Sequence, residues 1–69
     1  MNALHDFVVL YREREALPYD PPLAFACQAE DGDHAEEQCA DAEQGCEVLW
    51  VVQAADPEAA YADYWGMPA

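Results

Sequence analysis

Asp6-Phe7-Val8-Val9-Leu10-Tyr11-Arg12-Glu13 is rich in β-branched and aromatic residues and predicts a strand. Side chains alternate across a strand, so Phe7, Val9 and Tyr11 share one face and Val8 and Leu10 the other. Both faces are apolar. A strand with one wetted face would alternate apolar with polar residues, so this one requires cover on both sides, as at the centre of a sheet.

The rest of the chain supplies the cover. Residues 1–5 form a short lead-in. Arg14 to Pro22 is a connection in which Pro18, Pro21 and Pro22 forbid regular pairing. Leu23 to Gln28 predicts a second strand with Leu23, Phe25 and Cys27 on its heavier face. Glu47 to Gln53 predicts a third, with Val48, Trp50 and Val52 opposite Leu49 and Val51. Between these two lies a helix of about residues 33 to 44. A second helix runs from Pro57 to Trp65, with Asp56 as N-cap, Pro57 at the first helical position and Gly66 as its stop. It sends Ala60, Tyr61, Tyr64 and Trp65 to one side, to cover an edge or part of the sheet. The tail 67–69 carries no signal.

The order is β-β-α-β-α. An antiparallel pair of strands one and two, followed by a right-handed helical crossover, sets strand three on the free side of strand one. The expected fold is a single α+β domain over residues 1–69: a three-stranded antiparallel sheet of order 2-1-3 with the first helix on one face.

That first helix is the most acidic part of the chain. Glu30 to Glu47 holds eight carboxylates and no Lys or Arg. Asp33 reads as the N-cap, with Glu36 completing a capping box, and Gly45 as the left-handed residue after the C-terminus. Ala35, Cys39 and Ala42 form a narrow apolar stripe of small side chains, which leaves Glu36, Glu37, Asp41 and Glu43 on the flanks and outer face.

The whole composition leans the same way. In 69 residues there are 15 acids and 2 bases, a formal net charge of −13. Arg12 and Arg14 are the only cations apart from two histidines, so most carboxylates have no salt-bridge partner and repel one another, more so at low salt. Such a surface rejects phosphates and anionic lipid, which disfavours direct nucleic-acid or membrane binding. No basic region followed by an apolar run opens the chain, so a signal peptide is not expected, and the apolar run from Val48 to Val52 is too short to cross a bilayer. A cytoplasmic protein is the expectation. Cys27, Cys39 and Cys46 then read as small buried thiols.

Catalytic and metal chemistries find little support. The chain has no Ser or Thr. His34 and Cys39 stand five residues apart on one helix and point about 140° apart, with no third group to orient them. His34, Cys27, Cys39 and Cys46 lack the spacing of a zinc site. Glu30, Asp31, Asp33 and Glu36 miss the pattern of a calcium loop. The expectation is a binding module without catalysis, cofactor or metal, whose partner is positively charged.

The segments Phe25 to Cys39 (FACQAEDGDHAEEQC), Cys46 to Val52 (CEVLWVV) and Asp56 to Gly66 (DPEAAYADYWG) resemble those of small acidic proteins from phages and mobile elements. More narrowly, the chain resembles anti-CRISPR proteins that inhibit type I-C systems. The resemblance implies stoichiometric binding to the surveillance complex (Cascade) in the host bacterial cytoplasm, blocking target DNA and PAM engagement, with acids standing in for phosphates. It brings no catalytic residues. The expected contact set is Glu30, Asp31, Asp33, Glu36, Glu37, Asp41 and Glu43, facing a basic, DNA-receiving surface. The alternative is an accessory protein that binds another basic, DNA-binding host protein. A monomer or weak dimer, the latter through an open sheet edge, fits either.

Overall fold

A computed structural model of the chain describes residues 3–66; the first two residues of the lead-in and the tail 67–69 lie outside them. In chain order the elements are β1 (His5–Arg12), β2 (Leu23–Ala29), α1 (Gly32–Ala42), β3 (Glu47–Val52) and α2 (Pro57–Trp65). The strands form one antiparallel sheet in the order β2-β1-β3. The fold is α+β with β-β-α-β-α connectivity, as the two-sided apolarity of β1 requires.

The helices cover opposite faces. Phe7, Val9 and Tyr11 pack with Ala29 of β2 and with Ala35 and Cys39 of α1. Val8 and Leu10 pack with Ala60 of α2, flanked by Tyr61 and Tyr64. Val8, Val9 and Leu10 have no solvent exposure. The last helix therefore covers the Val8–Leu10 part of the second face, where Ala26 and Trp50 stay exposed, and joins the core through Ala60. Small residues at the contacts allow both helices to approach closely: Ala35 and Cys39 on α1, Ala60 on α2.

One register detail differs from simple alternation. Leu10 pairs with Trp50 but Tyr11 pairs with Val48, so Leu49 is the extra residue of a β-bulge. A bulge shifts the side-chain parity of everything beyond it. Val48 consequently joins Val51 on the α1 side, while Val52 packs on the α2 side. The expected grouping of Val48 with Trp50 and Val52 is corrected accordingly. A run of five residues without a single polar one, Val48 to Val52, cannot signal where the parity changes.

The caps of α1 also differ from expectation. The N-cap is Asp31, not Asp33: its Oδ1 accepts from the His34 amide at 2.8 Å. His34 returns the favour one residue further out, its Nδ1 accepting from the Glu30 amide at 3.1 Å. In the neutral ring this acceptor role places the proton on Nε2. The imidazole thus takes the place that Glu36 would have in a capping box, and starting at Asp31 lets Ala35 be buried in the first turn. The helix ends at Ala42, with Glu43 as C-cap donating to the Cys39 carbonyl at 2.8 Å. Ala42 is exposed, so the apolar stripe is Ala35 and Cys39 alone.

Gly45 lies beyond that cap, inside the turn to β3, with φ +83°. A Cβ there would stand 3.4 Å from Arg14 Cδ as well as in the left-handed region. Gly45→Ala is expected to cost about 1–2 kcal/mol, which in a domain this small lowers the thermal midpoint by roughly 4–8 °C per kcal/mol. Gly32→Ala is the control: its Cβ would meet only Val51 Cγ1 at 3.6 Å, so a melt at or above the parent midpoint is expected.

The predicted caps of α2 are present. Asp56 accepts from the Glu58 amide at 2.9 Å, Pro57 opens the helix, and Gly66 at φ 63° closes it. Two short hydrogen bonds anchor α2. Tyr61 donates its hydroxyl to the Pro22 carbonyl and Trp50 donates Nε1–H to Asp63 Oδ2, each at 2.6 Å. Among the described residues no helix is long and apolar enough to cross a membrane.

Candidate partner-binding surface

With Ala35 and Cys39 facing the sheet, 3.6 residues per turn fixes the direction of every other side chain on α1. Glu37 stands directly opposite the buried pair, with Asp33 and Asp41 one turn before and after it. All three are exposed. They form an outward row with steps of about 6 Å along the axis. Glu36 and Glu43 lie on one flank, the former half-buried and the latter exposed at the C-cap.

The opposite flank is polar and tied down. Gln38 donates Nε2–H to the Gln28 carbonyl at 2.8 Å and lies 3.5 Å from His34 Nε2. Together with the His34–Glu30 bond this fixes the helix against the end of β2, so the acidic row sits on a rigid support.

The seven expected contact residues therefore fall into three groups. Asp33, Glu37 and Asp41 make one continuous line with Glu36 beside it. Glu30 and Asp31 stand at the N-terminal end, where Asp31 is engaged as the cap. Glu43 stands at the far end, across a shallow groove from Arg14, the place on this face where a cation lies near a carboxylate.

The electrostatics of α1 are unfavourable in a way that folding does not need. Acids in its first turn suit the helix dipole, but Asp41 and Glu43 stand at the end that favours cations, where α1 has no base. Asp33 with Glu37, and Glu37 with Asp41, are like-charge pairs at i,i+4, each costing a few tenths of a kcal/mol.

The thiols lie on the inner side of the same helix. Cys39 is fully buried, with Cys27 and Cys46 half-buried in the same cluster. Burial first, and then the neighbouring Cys46, push the Cys39 thiol up to about 12. Burial raises Cys27 as well. A catalytic thiol needs the opposite shift, and His34 spends its Nδ1 on a backbone amide. Among the described residues, no three His, Cys, Asp or Glu side chains are gathered closely enough to hold a metal ion.

These shifts carry a stability consequence. A thiol raised on folding stays protonated in the native chain after the unfolded chain has ionised, so its contribution is intact below the ordinary value of 9.0 and is lost as pH climbs toward 12. Tyr11, raised by burial and then by Glu43, acts in the same sense above 10.0. Thermal midpoints should therefore hold from neutrality to about pH 9 and decline beyond it. Cys39→Ala should show the shallower alkaline decline. An identical alkaline slope in that variant would remove the assignment to Cys39.

A second surface stands where packing was expected. Leu23, placed on the heavier face of its strand, is 42% exposed, and Trp65, expected to cover the sheet, is 52% exposed. The available signal was Pro21-Pro22, which sets the entry to β2 and gives Tyr61 its carbonyl partner. Compared with known protein families, with curated proteins and with solved structures, the chain matches none.

Proposed function

We propose that the chain is a stoichiometric inhibitor that lays α1 on a basic, DNA-receiving surface of a type I CRISPR surveillance complex, of subtype I-C. Binding would block target DNA and PAM engagement in the cytoplasm of the host cell. The observation that carries this reading is the outward line Asp33–Glu37–Asp41. It is rigidly seated, free of lysine and arginine, and continued against the helix dipole.

Duplex DNA carries one negative charge per roughly 1.7 Å of axis, and a groove lined with Arg and Lys accepts a regular row of carboxylates by the same electrostatics. Acids at the wrong end of a helix are hard to explain by folding, whereas a docking face that must be negative along its whole length explains them. No reacting group is required, and the inhibitor acts by occupying the site.

The test is a mobility shift of target duplex with purified type I-C surveillance complex, with and without the protein, at several salt concentrations. The expected result is loss of duplex binding that weakens as salt rises. Unchanged duplex binding without comigration of the two proteins would discard this partner, and would turn the search to free DNA-binding proteins of the host with a basic surface.

A further inference from the structure

On the side of the sheet away from α1, α2 and the β1–β2 connection enclose a groove of about 590 Å³. Its walls are Pro21, Pro22, Leu23, Tyr61 and Trp65, and Glu58 is the one charged residue lining it. The Tyr61 and Trp65 rings are stacked with centroids 5.2 Å apart and planes 19° apart, giving a flat aromatic wall. Tyr61 is held by its bond to the Pro22 carbonyl, so the wall is preformed.

Pro21 and Leu23 also line a second, adjacent groove of about 460 Å³, whose other walls include Glu13, Glu15, Asp20 and Arg12. The connection forming it is ordered by its own hydrogen bonds: Ala16 N–H to the Glu13 carbonyl, Leu17 N–H to Asp20 Oδ2, and Arg12 Nη2 to the Asp20 carbonyl. Three carboxylates against one guanidinium leave this compartment negative.

We infer that the two adjacent compartments are a docking groove for a basic protein segment in which an apolar side chain lies close to arginines. The apolar anchor fills the space between Leu23 and the Tyr61–Trp65 wall, and the arginines lie along Glu13, Glu15 and Asp20. Preformed aromatic walls are where binding energy concentrates at interfaces, and exposed rings also stack on guanidinium. Charge excludes the competing occupants. A second copy brings another −13 to an already negative groove, and nucleic acid or anionic lipid would be repelled for the same reason. The apolar compartment lies on the α2 side of the sheet, and Asp33, Glu36, Glu37 and Asp41 line neither compartment, so this inference does not rest on the function proposed for α1.

The probe is the blocked peptide Gly-Leu-Gly-Arg-Arg-Gly, titrated into the ¹⁵N-labelled full chain and followed by amide and indole resonances. Saturable shifts are expected at Leu23, Tyr61 and the Trp65 indole, with a dissociation constant below about 1 mM. Trp65→Ala should weaken binding by about tenfold, and so should Glu13→Gln combined with Glu15→Gln. The variant Glu36→Lys/Glu37→Lys/Asp41→Lys should bind the peptide within about twofold of the parent, a difference well under 1 kcal/mol. Trp65 is exposed, so its replacement leaves the fold intact, which the unchanged amide spectrum of the core would verify. Shifts confined to α1 would mean general charge attraction and overturn the inference. So would absence of saturation at about 1 mM, or a dimer in sedimentation that Trp65→Ala dissolves.

Discussion

Leu10→Ala should leave much of the chain unfolded at room temperature. Leu10 has no solvent exposure and sits at the middle of the central strand, paired with Ala24 on one side and Trp50 on the other. Truncating such a leucine costs about 2–5 kcal/mol. At about 0.05–0.15 kcal/mol per residue, a 69-residue chain has only about 3–10 kcal/mol in total, and repulsion among its carboxylates pushes it toward the lower end. The α2-side cluster has three fully buried members, Val8, Leu10 and Ala60, so few neighbours can close the cavity. A circular-dichroism melt should show a midpoint lower by more than about 10 °C, while Leu10→Met should cost less than about 1.5 kcal/mol. A loss under 1 kcal/mol for the alanine variant would mean that α2 contributes little to the fold.

The second large effect is on binding. Glu36→Lys/Glu37→Lys/Asp41→Lys should abolish association with a basic partner, a loss of at least about 100-fold, without unfolding the domain. Glu37 and Asp41 are exposed and Glu36 is half-buried, and none of the three appears among the helix caps. Lysine at position 41 suits the C-terminal end of the dipole, and lysine at position 37 turns the repulsion with Asp33 into an attraction, while the 37–41 pair stays like-charged. Lysine at position 36 loses some of the N-terminal gain, so stability should change by less than about 1 kcal/mol. Inhibition in the mobility shift and the thermal midpoint would be measured on the same preparations. Full inhibition by a folded triple variant would sink the acidic-helix reading. Glu47→Lys, an exposed reversal on β3, should leave inhibition near the parent level.

The strand order was legible because β1 is apolar on both faces, a pattern that a 69-residue α+β domain satisfies by placing that strand in the middle. The start and stop of α2 were legible for a similar reason, since Asp56, Pro57 and Gly66 each have one strong local role. What was not legible depended on competition between equivalent candidates. Asp31 and Asp33 are equally good caps, and the choice fell to whichever placed Ala35 inward and let His34 close the turn. The change of parity at Leu49 lay within an unbroken apolar run. For the proposed contact surface, the acids themselves were visible, but their sorting into an outward row, a capping residue and a C-terminal outlier needed the helix register. The groove beside Trp65 joins residues some forty positions apart, a distance no local pattern spans.

The placement of β1 between its two partners also bears on how the chain acquires its structure. Residues 13–22 join β1 to β2, so that hairpin closes the shorter of the two loops. β3 pairs with residues 8–12 only after a separation of about forty residues, a contact made late because the ends of a longer segment must first meet. Until then one edge of the hairpin is open, and the Val8–Leu10 side remains bare until α2 folds onto it. Such an intermediate is the kind of species that associates through strand edges. A chain with 15 carboxylates repels its own copies at that stage. The surplus charge thus disfavours association between copies before the sheet is complete.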